Sequence, residues 1–325
     1  MSSSNQIELV SLEELVAKDH AYRKFLLVLN FDVIYDILRQ KKKNNPNEGY
    51  GVERLFRCLL LQHLEDLSDR ELERYLQENN AAKLFAGFSL AEKVPDHTVF
   101  TQFRTRIGIE TIVEIFENIR QQLKQRGLMN EVFSFIDASH LISKADLWKE
   151  RDDAIRKKHE TLNNENVSAF ASDPDIRFGT KGGNKHWIGY KRHASVDCQS
   201  GLINKCDISL ANLPDSKGLD LICPNSGASY ADKAYYGEKV AQEAARHGTE
   251  LKAIKQNPDK NKNYELDRYI SGLRAPYERI FSKLPHRTRF RGLIKNRFIN
   301  FLQTIAFNIK RLRALMLAMP SSSTS

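Results

Sequence analysis

The feature that most limits what this chain can fold into is a change of rhythm near Val132. Up to Gly127 the apolar residues recur at helical spacing; from Val132 the run VFSFIDASHL is β-branched and aromatic, and reads as a strand with Asp137 near its C-terminal end. A helical region must therefore precede a sheet. Within the first region Ser11 and Glu14, then Ser68 and Glu71, form capping-box patterns, and Asp96 caps a helix ending at Gly108. A further helix over 109–126 stops at Gly127. Residues 1–9 read as a disordered start, and KKKNNPNEGYG (41–51) as a basic, turn-rich break.

Downstream, 143–176 is charged without a clear period and reads as a helix or flexible insertion, and TKGGNKHW (180–187) as a Gly-rich basic turn. WIGYKRHASVD and LINKCDISLANL make a hairpin about Cys198–Gly201. A short helix (215–221), a brief strand ending at Asp232, a helix (237–247) and the strand ELKAIKQ follow. After the polar loop KQNPDKNKNYE come helices over 266–284 and 293–317, then the tail PSSSTS. The expected architecture is mixed, α+β or α/β: a helical domain over 1–130, a five-stranded mixed sheet flanked by helices over 131–318, and a disordered tail over 319–325.

Charge narrows the function. The net charge of +9 and pI of about 9.2 favour an acidic partner, nucleic acid before a membrane surface. The four cysteines form no CxxC pair and read as reduced thiols. The acidic N-terminus is unlike a signal peptide, and no apolar run reaches membrane-spanning length, so the expected location is the cytoplasm. Beyond Glu278 there is no Asp or Glu, but ten Lys and Arg, including Lys283, Arg287, Arg289, Arg291 and Lys295. A carboxylate beside such a run fits a metal held next to a polyanion; an exposed basic helix with an incidental Glu fits it as well.

Asp137 on the first strand, Asp232 at the end of the fourth and Glu278 on a helix after the fifth can converge at one end of a sheet. Gathered carboxylates repel unless they share a cation, and oxygen-only ligands select Mg²⁺ or Mn²⁺. Each acid alone also reads as a turn cap. Gln102, Arg104 and Arg106 suit either a helix-turn-helix facing DNA or the charged surface of a packing helix. Lys191 and His193, two apart on one strand, share a face that could meet DNA or water. The spacings of His140, His186 and His193 fit no zinc pair on one helix.

The chain resembles the bacterial insertion-sequence DDE transposases, nearest to the insertion sequence five family, from about Gly51 to Leu312. The resemblance is carried by LLLQHLEDLSDRELERYL, VPDHTVFTQFR, FIDASHL, KGGNKHWIGYKRHASVD, SGLI, YADKAYYG, LRAPYERIF and RFRGLIKN. It implies an RNase H-like catalytic domain behind a helical DNA-binding domain, and Asp137, Asp232 and Glu278 as the catalytic, Mg²⁺-binding acids, with Arg274 four residues before Glu278. It also implies DNA as partner, both the terminal inverted repeats and the target, cut and joined by a homodimer on paired ends. Ser271 and Pro285 stand where the wider family signature has Tyr and Lys, with Tyr269 and Lys283 nearby. Pro276, between Arg274 and Glu278, predicts a local bend or a new helix start. An inactive transposase-derived DNA-binding protein and an RNase H-like nuclease are the alternative readings.

Overall fold

The computed structural model describes residues 10–40, 49–144, 147–159, 161–181, 185–255 and 263–318, without the side chains of 147, 274, 275, 278 and 318. The expected disordered start, most of the break at 41–51, the centre of the basic turn at 182–184, most of the polar loop before α12 (below) and the tail lie outside the described residues.

The first region is helical: α1 (Leu12–Leu15), α2 (Ala21–Leu27), α3 (Phe31–Gln40), α4 (Val52–Leu64), α5 (Asp69–Glu78), α6 (Asn80–Ala86) and α7 (His97–Gln125). Its boundaries follow local chemistry. The Ser68 N–H donates to Glu71 Oε2 at 2.7 Å and the Glu71 N–H returns to Ser68 Oγ at 3.3 Å, so each satisfies a donor that the helix start leaves unpaired. Asp96 Oδ1 accepts the Thr98 N–H at 2.8 Å. Gly108 breaks the helical path of α7 with φ 68° and ψ 174°, where the sequence predicts one helix ending and another beginning.

Next come β1 (Phe133–Ile142), α8 (Leu147–Arg156), α9 (Val167–Phe170), β2 (Arg177–Lys181), β3 (Lys185–Asp197) and β4 (Ile203–Leu210). A 3₁₀ turn (Asp215–Gly218), α10 (Leu219–Ile222), β5 (Ala228–Ala231), a second 3₁₀ turn (Lys233–Tyr235), α11 (Glu238–Arg246), β6 (Glu250–Ala253), α12 (Tyr264–Ser282) and α13 (Leu293–Ala318) complete the chain.

Contacts divide the chain into two compact units: 1–118 with 305–325, and 119–304. The sequence-based division at 130/131 differs, and it assigns all of α13 to the second part. Helical periodicity marks where a helix runs but not which core each half joins. In the first unit Leu59, Leu60, Phe56, Phe85 and Phe100 are fully buried, as are Ile305 and Ile309 from the second half of α13. The Arg313 guanidinium lies 5.7 Å over the Phe25 ring, and Lys310 donates to the Leu64 carbonyl.

Among the described residues of the second unit six strands form one mixed sheet in the order β2-β3-β1-β5-β6, with β4 also paired to β3. Five of these strands are the ones expected from the sequence. The extra strand is β2, whose residues Arg177–Lys181 lie between the segment read as a helix or insertion and the segment read as a turn. Gly189 pairs with Ile142 of β1 and with Arg177 of β2, so β2 lies on the edge of β3 opposite β1; β4 continues along that edge. Gly189 has φ +145°, and a Cβ there would lie 2.3 Å from the Leu141 carbonyl oxygen. β1 is antiparallel to β3 and parallel to β5, and β5 is parallel to β6.

Both sheet faces are covered. Ile136 and Ala231 pack with Leu219, Ile222 and Ala244 of α10 and α11. On the other face Phe135 meets Tyr277 and Phe281 of α12, each at 6.2 Å between ring centroids, while Ile270 of the same helix packs on Ala228 and Tyr230. Ile270, Tyr277 and Phe281 recur at helical spacing, which is why one stripe of α12 can lie along two strands.

Candidate active site

The parallel pairing of β1 and β5 sets the site. Phe133, Ser134 and Phe135 pair with Ala228, Ser229 and Tyr230. Two residues beyond the last pair stand Asp137 and Asp232, so the same register brings two acids level that are far apart in sequence. Strand alternation puts Asp137 on the face of Phe135, the face that α12 covers. Tyr277 of α12 touches Phe135, and Glu278 is the next residue along that helix. The side chains of Glu278 and Arg274 lie outside the described residues; their backbone positions, four apart in one helix, share a face.

α12 runs without interruption from Tyr264 to Ser282, with Pro276 inside it. The expected new helix start at Pro276 is corrected. The proline removes one N–H, but the apolar stripe on both sides of it holds the helix to the sheet.

The edge of β1 changes its neighbour beside Asp137. β5 ends at Ala231, and the same edge of β1 is taken up again at Ile142, whose N–H donates to the His286 carbonyl at 2.8 Å and whose carbonyl accepts the Thr288 N–H at 2.9 Å. Asp137 lies in the interval between these two neighbours. It is 9% exposed, its Oδ1 accepts the Ala138 N–H at 2.8 Å, and Lys181 Nζ stands 3.8 Å from it. Asp232 is half-buried; its Oδ1 accepts the Ala234 N–H at 2.8 Å and caps the following 3₁₀ turn.

The rim is cationic. His140 and His286 stack at 5.1 Å, with Trp187 at 5.8 Å from His140. Burial, then Lys185, His286 and Lys181, pull the His140 imidazole below the ordinary histidine value. Burial, Arg192 and Lys185 do the same to His286. These imidazoles are therefore mostly neutral at pH 7, and the positive field at this end of β1 comes from lysine and arginine. Sequence reasoning missed Lys181 as a neighbour of Asp137, because the strand that delivers it was read as a turn.

The predicted DNA-contacting residues separate. Lys283, Arg287, Arg289, Arg291 and Lys295 are exposed on the stretch after α12, and Gln102 and Arg106 are exposed on α7. Lys191, His193 and Arg104 are not, and their expected DNA contacts are corrected on burial. His193 is fully buried, its Nε2 is 2.8 Å from Ser209 Oγ, and burial pulls its pKa down to about 4. Its ring is so close beneath Gly218 that a Cβ there would lie 2.2 Å from it. Lys191 Nζ reaches Asp215 and the Leu213 carbonyl, each at 2.6 Å. Arg104 is held by Asp69 at 2.9 Å and Gln62 at 3.3 Å. Side chains so enclosed have no surface from which to meet a phosphate.

The carboxylate set fits a hard divalent ion: Asp137 and Asp232 offer only oxygen, and a third carboxylate is carried on the helix over the same face. A separate trio, Asp220, Glu243 and His247 on and beside α10 and α11, brings three potential ligand atoms within 4.8 Å of one another, but these helices pack on the other face of the sheet.

Two family models match the chain: Transposase domain (DUF772) over residues 10–106 and Transposase DDE domain over residues 155–309. The second match includes Asp232 and Glu278, and Asp137 stands before it. No solved structure matches. The chain belongs to the DDE transposases of insertion sequences. That family acts on DNA and uses divalent metal ions. Among the described residues no helix is long and apolar enough to cross a membrane.

Proposed function

We propose that this protein binds the terminal repeats of its own insertion sequence, cuts there, and joins the ends to target DNA, with Asp137, Asp232 and Glu278 as the catalytic acids. The observation that carries the reading is the register of β1 and β5, which makes Asp137 and Asp232 level on the face that the Glu278 helix covers. The three acids would hold Mg²⁺, with Mn²⁺ able to replace it, and the bound metal supplies activation of a water or 3′-hydroxyl and charge neutralisation at the scissile phosphate.

The chain's own residues do the rest. The oxygens of Asp137 and Asp232 are oriented by backbone N–H groups, so the acids enter the reaction already aimed. Lys181, close to Asp137, balances its charge and can follow a phosphate oxygen that approaches. Arg274 orients Glu278 or holds the scissile phosphate. Lys283, Arg287, Arg289, Arg291 and Lys295 hold the DNA backbone, with Gln102 and Arg106 contributing from the helical region. Affiliation with the insertion sequence five family, a homodimer on paired ends and action at the bacterial nucleoid in the cytoplasm belong to the same proposal.

The test is nicking of a labelled duplex carrying the DNA that flanks the gene, in Mg²⁺, with Ca²⁺ for binding alone. Asp137→Asn is expected to cut about 10³-fold slower or worse while binding the duplex as before. Asp232→Asn and Glu278→Gln are expected to behave alike. Cutting by Asp137→Asn at the wild-type rate refutes the site. Tight binding by a wild type that never cuts would instead identify an inactive copy.

A further inference from the structure

The three acids are not held alike. The ladder between β1 and β3 fixes Asp137, and a backbone N–H caps Asp232 where β5 has just ended. Glu278 rides on α12, a helix that meets the sheet through side chains. Pro276, two residues before it, has no N–H to offer the Gly272 carbonyl four residues back. A helix missing that bond is free to bend and turn there, so its packing must fix the part that carries Glu278.

Tyr277 does so from two directions. Its ring lies 6.2 Å from Phe135 at an interplanar angle of 31°, and Phe281, one turn further on, meets the same Phe135 ring edge-on at 83°. Phe135 is two residues before Asp137 and pairs with Tyr230, two residues before Asp232. The helix is therefore set against a residue pair that stands equally far from both acids. Ring contacts fix where a helix lies, but they leave it able to rotate about its axis. The Tyr277 hydroxyl, at the far end of the ring, donates to the Cys198 carbonyl in the turn between β3 and β4. That directional bond fixes the rotation as well.

The acceptor is itself fixed. The Cys198 N–H donates to the Phe133 carbonyl of β1 at 2.8 Å. Beside it, buried Asp197 accepts the Ser200 N–H and hydroxyl at 2.8 Å each and the Gln199 N–H at 3.1 Å, which closes the turn on its first residues. An unbroken set of contacts thus runs from the Asp137 strand through Cys198 and Tyr277 to the residue before Glu278.

We propose that Tyr277 is a positioning residue of this site: its hydroxyl, held by the Cys198 carbonyl, sets the rotation of α12 and so the place of Glu278 relative to Asp137 and Asp232. The inference rests on the three acids proposed above as the metal-binding set, and adds what keeps the third in register with the other two.

The experiment uses the full chain with the duplex that carries the flanking DNA. It reads Mn²⁺ binding by electron paramagnetic resonance, together with nicking in Mg²⁺ and the urea midpoint. Tyr277→Phe keeps the ring and removes only the hydroxyl. It should bind Mn²⁺ about tenfold more weakly and nick about tenfold more slowly, with duplex affinity in Ca²⁺ unchanged. In a Glu278→Gln chain the same substitution should weaken Mn²⁺ binding no further, because no carboxylate is left to place. Tyr190→Phe is the structural control: it removes a hydroxyl that donates to buried Asp173 at 2.7 Å, and should lower the urea midpoint while leaving Mn²⁺ affinity at the wild-type value. Wild-type Mn²⁺ affinity in Tyr277→Phe overturns the proposal. So does an equal loss in Tyr190→Phe, or a loss that adds in full to that of Glu278→Gln, since either makes the effect one of general loosening. A wild type that binds no Mn²⁺ beyond that of the duplex is a different result: it removes the three-acid reading, and this proposal with it.

Discussion

Lys191, Arg192 and His193 follow one another along β3, whereas Arg287, Arg289 and Arg291 alternate along the stretch after α12. The two groups are alike in composition and opposite in setting. The first three are 6%, 1% and 0% exposed, and the second three are all exposed. Arg192 donates to Asn300 Oδ1 at 2.7 Å, Gln303 Oε1 at 2.6 Å and the Pro285 carbonyl at 3.1 Å, and burial pulls its pKa down to about 10, so it stays charged at neutral pH. It joins β3 to α13 and to the start of the segment after α12. Arg297, though part of the same C-terminal basic run, turns inward as well and grips both oxygens of Asp207, each at 2.7 Å. The basic residues therefore divide into those enclosed in the scaffold and those exposed at the surface, and the division follows the fold and not the charge.

The largest test of that division is Arg192→Ala. Three acceptors lose their donor and a cavity opens, so stability should fall by about 3–5 kcal/mol, read as a lower urea midpoint. A change within experimental scatter would break the comparison at its clearest point.

Glu131 offers a test by pH. It is buried and accepts Arg120 and Asn204 at 2.8 Å each, with Lys124 at 3.0 Å. Burial pushes its pKa up, but these donors more than offset that and hold it at about 2, against an ordinary value of 4.5. The unfolded chain binds the proton first as pH falls, so the contribution, at most about 3 kcal/mol, is present above pH 4.5 and lost progressively toward pH 2. Denaturation of Glu131→Gln compared with the wild type should show that part of the acid dependence disappear.

A smaller loss is expected for Arg104→Ala in the helical unit, about 2 kcal/mol, because Asp69 keeps Gln62 and Thr101 as donors and some access to water. DNA affinity should be unaffected once the variant is folded, as judged by circular dichroism. The smallest stability effect belongs to Arg287→Ala and Arg291→Ala, within about 0.5 kcal/mol of the wild type. Their effect lies in binding: the slope of log affinity against log salt should drop by about one for each arginine removed. If either arginine proves structural and Arg104 proves to set the salt slope, the assignment is inverted.

Local chemistry made much of this protein legible in its sequence. The capping pair Ser68 and Glu71, the break at Gly108 and the change of rhythm at Val132 depend on residues within a few positions of one another, and each appears where it was expected. Asp232 was legible as an acid closing a strand, a local pattern as well; Asp137 was legible as an acid on the first strand, but its expected place near the strand end is corrected, because β1 runs on to Ile142 and holds it mid-strand. The strand β2 was not legible, since Arg177–Lys181 has too little alternation to be read without its partner β3. Continuity of α12 through Pro276 depends on the stripe that packs against Phe135 and Tyr230, a contact no local rule contains.

What the sequence determined alone was therefore the order and kind of most elements, the acids on or just after their strands, and the excess of positive charge. Only the tertiary structure decided that Asp137 and Asp232 stand level, and that Lys191, His193 and Arg104 are enclosed while Arg287, Arg289 and Arg291 face water. The reason is physical: periodicity tells which residues share a face, but whether a face is covered depends on segments distant in the chain, here α12 and α13 on one side of the sheet and α10 and α11 on the other.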